Sequence, residues 1–107
     1  MPDVSAVSRC FVAKVTGWIG HEGTLARLEA PSPAALREAR QKTMTFALAA
    51  AKWTEFAALS PDDAVETMHR WLDATESRAT VRGATARAEA AALARSWLTG
   101  CSDVRRS

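Results

Sequence analysis

The side chains able to do soft-metal or nucleophilic chemistry are His21, His69, Cys10 and Cys101. No pair of them has the C-x2-C or H-x3-H spacing of a zinc site, so a metal would need all four to converge from distant places. His69 lies at the margin of an apolar helical face beside Glu66 and Asp73, which is the setting of a boundary histidine. His21 and Glu22 sit in GWIGHEG, a glycine-rich stretch that reads as a loop. That stretch is not a phosphate loop, because it lacks the Gly-Lys-Ser/Thr that opens a helix after a strand. No serine stands in an elbow motif and no cysteine has a histidine in a nucleophile pattern. The expectation is a protein with no catalytic residue, no metal and no cofactor.

The other candidate chemistry is cationic. Residues 1–77 sum to −2, whereas residues 78–107 sum to +4, through Arg78, Arg82, Arg87, Arg95, Arg105 and Arg106 against Glu89 and Asp103. Every base in this last third is arginine, which grips phosphates and carboxylates through a planar fork. Arg78, Arg82, Arg87 and Arg95 are therefore the candidate nucleic-acid-binding residues, able to hold a backbone without reading its sequence. Arg87 and Arg95 flank Ala91, whose small side chain leaves room for a strand. An acidic protein would suit the same groups. No docking motif of a major-groove reader and no aromatic ladder for single strands accompanies them.

These groups are positioned by helices. The longest pattern runs from Pro33 to Leu59. Ser32 is a good N-cap and Pro33 suits the first helical position, where no N–H is needed. Leu36, Ala39, Thr43, Phe46, Ala47, Ala50, Trp53 and Ala57 share one side, widened by Met44, Ala51 and Ala58. Arg37, Glu38, Gln41, Lys42, Thr45, Lys52 and Glu55 share the other. Leu48, Phe56 and Leu59 fall on or near that polar side and form a candidate protein interface.

Residues 3–16 fit a helix through Val4, Val7, Phe11, Val15 and Trp18, although their β-branched content also suits a strand; helix is preferred because a lone strand has no partner here. Thr24 can cap a short turn that Pro31 ends. Ser60-Pro61-Asp62-Asp63 repeats the Ser-Pro start, with acids at the positive helix end. The next helix carries Ala64, Val65, Met68, Trp71 and Leu72 inward and frays near Ser77. Residues 78–85 read as a link broken at Gly83 and capped at Thr85. A last helix, about 86–99, turns Ala86, Ala90, Leu93, Ala94 and Trp97 inward and ends at Gly100. Each candidate helical segment holds one of Trp18, Trp53, Trp71 and Trp97, which argues for one shared core.

The fold class read from this pattern is all-α, a compact bundle of four to five helices around a long central helix at about 33–59. The 107 residues make a single domain, with 101–107 a mobile tail. With no apolar run of membrane length and no leader pattern, the expected address is cytoplasmic and no membrane partner is expected. There the two cysteines are expected as free thiols. In size and architecture the chain resembles the compact small subunits of CRISPR effector complexes. That likeness, one of shape and charge, implies a non-catalytic subunit of a nucleoprotein assembly, touching RNA or single-stranded DNA backbone through its C-terminal arginines. The alternative is a protein-only binding module, such as a phage-encoded inhibitor or an oligomeric adaptor. Its partners would be other protein subunits or a second copy of the chain.

Overall fold

Asp3 starts the first helix by accepting a hydrogen bond from the Ser5 N–H at 3.0 Å. The computed structural model describes residues 3–103. Helix α1 spans Val4–Gly17, a π-helical segment follows at Trp18–Gly23, and α2 spans Thr24–Leu28. Of residues 3–16, read as helix in preference to strand, all but the cap Asp3 are helical. Gly17, Trp18, Gly23 and Thr24 all keep right-handed helical angles, so these three pieces form one rod. The glycine-rich stretch read as a loop is a widened part of that rod. Thr24 does not cap; its hydroxyl donates back to the Ile19 carbonyl at 3.0 Å. Of the stretch's glycines, only Gly23 serves close approach; a Cβ at Gly17 or Gly20 would meet open space. Gly23 is buried, and a Cβ there would stand 2.7 Å from the Trp18 ring and 3.3 Å from Thr43 Oγ1.

Helix α3, Pro33–Leu59, starts as its sequence directs, with Ser32 Oγ accepting from the Ala35 N–H at 3.1 Å. Its buried side is Ala39, Thr45, Phe46, Ala49 and Trp53. Ala47, placed on that side from periodicity, is exposed, and Thr45, placed on the polar side, is buried. Thr45 satisfies its hydroxyl within the helix by donating to the Gln41 carbonyl at 2.8 Å. A 3-10 turn, Pro61–Asp63, leads into α4, Ala64–Val81. Ser60 makes no side-chain cap there; its carbonyl takes the Asp63 N–H instead.

Helix α4 continues past Ser77 to Val81, and the link shrinks to residues 82–84. Two bonds close its end: Ala84 N–H to the Ala79 carbonyl at 2.8 Å and Gly83 N–H to the Thr80 carbonyl at 3.1 Å. This is the paired C-terminal motif that needs a left-handed residue, and Gly83 has φ +73°. Helix α5 then spans Thr85–Asp103. Thr85 is its first helical residue rather than its cap. Gly100 lies inside the helix, and Cys101 is buried, so the start of the expected tail is structured. The rest of that tail, 104–107, lies outside the described residues.

Cross-helix neighbours fix the topology. Phe11 meets Trp53 and Trp18 meets Phe46, so α1 and α3 run antiparallel. Lys42 pairs with Glu89 and Phe46 stacks on Trp97, so α3 and α5 run parallel. The result, among the described residues, is an up-down-up-down four-helix bundle; the all-α bundle of four to five helices is as the sequence pattern indicated. Trp53, Phe11, Phe46, Met68, Leu72, Leu98, Val7 and Val15 fill its core. Trp53 is buried completely, while Trp18, Trp71 and Trp97 are half-buried at the core margin. On α5 the inward positions include Ala91 and Leu98, while Leu93 faces out.

Cys10 on α1 is bonded to Cys101 on α5, with Cα atoms 5.6 Å apart. The expected free thiols are therefore paired. The pairing depends on α1 and α5 lying side by side in the bundle, which spacing in the sequence does not reveal.

The two kinds of glycine give an internal contrast. Gly23→Ala is expected to destabilise by about 1–3 kcal/mol, since the new methyl drives into the Trp18 ring that packs on Phe46. Gly20→Ala meets open space and is expected to be neutral or to stabilise by up to about 1 kcal/mol. Denaturant midpoints of the two variants check this; equal midpoints would refute the close packing at Gly23.

Candidate functional site

The three arginines nearest the α4–α5 turn converge, and the fourth does not. Arg78 and Arg82, four apart, share a side of α4 and its C-terminus, and Arg87 projects from the first turn of α5. All three line one cavity of about 380 Å³ between α3 and α4. Its floor is Met44, Thr45 and Leu48 from α3 with Trp71, Thr75 and Ala79 from α4. Thr75 is buried, and Arg78 lies 3.5 Å from its hydroxyl. Among the described residues that line the cavity none is acidic and none is lysine. Among the described residues, Arg78, Arg82 and Arg87 form no ion pair.

Arg95 is engaged elsewhere. Its Nη1 bridges Asp73 and Glu76 of α4. The hydrogen bond that Arg95 donates to Asp73 raises its pKa above the ordinary arginine value, helped by Glu76. Arg95 therefore joins α4 to α5. Ala91, expected as a gap between Arg87 and Arg95, is fully buried, so no strand approaches there. Arg105 and Arg106 lie outside the described residues.

The proposed apolar group also divides. Leu48 is half exposed in the groove. Leu59 is well exposed but about 16 Å further along α3, at 1.5 Å per residue. Phe56 is half-buried and packs on the core, which removes it from a shared patch. In their place the structure supplies Met44, which is 68% exposed, and the margin of Trp71. Met44 widens the apolar arc of α3 in the sequence; which part of that arc stays uncovered depends on where α4 crosses.

Local physics marks Arg87 as unusual. A cation in the first turn of a helix opposes the positive end of the helix dipole, and α5 has no acid there to offset it. Arg78, in the last turn of α4, sits where the dipole favours a cation. A residue set against its local preference is what functional sites tend to show.

The histidines and cysteines do not assemble. Among the described residues no group of three His, Cys, Asp or Glu could hold a metal ion. The cystine removes both thiols from ligation and nucleophilic attack. His69 has its pKa lowered by burial, with Asp73 and Asp103 pulling upward and Arg95 pushing downward. It faces the Arg95 network and lines no described cavity. His21 is exposed on the π segment. No helix among the described residues is long and apolar enough to cross a membrane.

No protein-family model matches the chain, nor does any curated protein or any solved structure.

Proposed function

We propose that this protein is a non-catalytic binding module that docks another protein through the arginine-rimmed groove between α3 and α4. The observation that carries this reading is the make-up of the groove. Methionine, leucine and tryptophan form its floor and arginines its rim, with no lysine or carboxylate among the described lining residues. Protein interfaces are enriched in aromatic residues, methionine and arginine, and depleted in lysine and acids. Energetic centres of such interfaces favour tryptophan and arginine set in pockets. The cystine supports the same reading. Disulfides persist in oxidising compartments and are rare in the cytosol, where a nucleoprotein assembly works. For that reason we place the protein in an oxidising compartment, in contrast to the cytoplasmic address expected from sequence.

A nucleic-acid backbone is the second reading, favoured by the convergence of three arginines that form no ion pair among the described residues. The two separate in a titration with labelled random-sequence RNA and DNA at two salt concentrations. Three phosphate contacts on a single strand would weaken binding with a log–log salt slope of roughly −2. The protein-docking reading expects no binding that carries this slope and depends on Arg78, Arg82 and Arg87. Binding with that slope, lost in Arg78→Glu/Arg82→Glu, would overturn it in favour of the backbone.

A further inference from the structure

We infer that the occupant of the groove is an acidic amphipathic helix of the partner protein; this rests on the protein-docking reading above. The site is elongated. A second cavity, of about 350 Å³ and lined by Ser77, Arg78, Val81 and Arg82, shares two arginines with the first. From Trp71 to Val81 the combined surface follows α4 for about 15 Å, close to three helical turns. A compact anion would leave most of that length empty, whereas a helix lying in it would contact both cavities.

The floor asks for apolar anchors. Met44 and Leu48, 68% and 50% exposed, line the first cavity with half-buried Trp71, and Val81, 87% exposed, lines the second. Anchors spaced three or four residues apart on one helix face reach the Met44–Leu48–Trp71 cavity and then Val81. The rim asks for carboxylates. Arg78, Arg82 and Arg87 are free of ion pairs among the described residues, and an Asp or Glu beside each anchor would bond bidentately to a guanidinium. A sugar-phosphate strand would satisfy the arginines but leave Met44, Leu48 and Val81 uncovered, with Trp71 able to stack one base.

The probes are three synthetic peptides of about four turns, used with the full-length, disulfide-bonded protein. One sets Leu and Glu at helical period, one is its scrambled isomer, and one carries Lys in place of Glu. Affinity is measured by calorimetry and the contact by NMR of the Met44 and Leu48 methyl groups. The periodic acidic peptide is expected to bind and to shift both methyls. Arg78→Glu/Arg82→Glu should weaken it by about tenfold or more and let the lysine peptide bind. Leu48→Asp, at a half-exposed position, should give the same loss for the acidic peptide and serves if the double variant does not fold. Equal affinity for the scrambled isomer, or unchanged affinity in these variants, would overturn the inference. So would tighter binding of dodecanoate or a thymidine oligonucleotide at the same methyls. Peptide failure alongside protein adducts formed from position 48 would remove the occupant's chemistry and leave the docking reading in place.

Discussion

Breaking the Cys10–Cys101 bond is expected to cost about 4–5 kcal/mol of stability, the loop-entropy value for a cross-link spanning 91 residues. The bond ties the first helix to the last, so it restrains nearly the whole unfolded chain. For a domain of this size the melting temperature should fall by roughly 15 °C or more. Cys10→Ser/Cys101→Ser should melt as the reduced wild type does, because both lose the same cross-link. Melting curves with and without reductant check this. Coincident curves would mean that the bond adds nothing to the fold.

Trp53→Ala is expected to cost about 3–5 kcal/mol, the range for truncating a fully buried large aromatic. The ring is 1% exposed, its centroid lies 6.0 Å from that of Phe11, and its indole N–H donates to Ser8 Oγ at 2.8 Å. Alanine leaves a cavity between α1 and α3 and strips Ser8 of that donor. Trp53→Phe separates the two contributions, keeping much of the packing while losing the hydrogen bond, worth about 1 kcal/mol. Urea unfolding of both variants gives the answer. A loss below about 1 kcal/mol for Trp53→Ala would deny the residue its place in the core.

The bundle was legible because its signals are local. Ser32-Pro33 starts α3, Glu66 and Arg70 pair one turn apart at 3.6 Å, and Val7, Phe11 and Val15 repeat at helical spacing. The glycine-rich stretch was misread because its packing depends on a remote residue. Gly17, Gly20 and Gly23 look like breakers, yet the rod is continuous, and Gly23 lets it lie close to Thr43 of α3, a contact made with another helix. Gly83 is the break that the sequence indicated, but α4 runs four residues past Ser77 before reaching it.

The site was half legible for the same reason. Arg78, Arg82 and Arg87 stand near one turn in the chain and near one turn in space. Arg95 belongs to the same basic run, but its partners Asp73 and Glu76 lie about twenty residues back, across the α4–α5 contact. Charge counting cannot tell a free arginine from one already held. Leu48 was found as an apolar residue on a polar side, while Phe56, chosen by the same rule, is covered by the core. Met44 and Trp71 were counted as core, and only the crossing of α3 and α4 leaves them open to the groove.

The most direct measurement of the central claim is photo-crosslinking from position 48 in the cells that make the protein, with a photoreactive amino acid replacing Leu48. A second protein carries the same group at exposed Glu22 on the π segment. The docking reading predicts discrete protein adducts from position 48 that are absent from position 22 and disappear in Arg78→Glu/Arg82→Glu. Nucleic-acid adducts at position 48, or the same adducts from both positions, would contradict it.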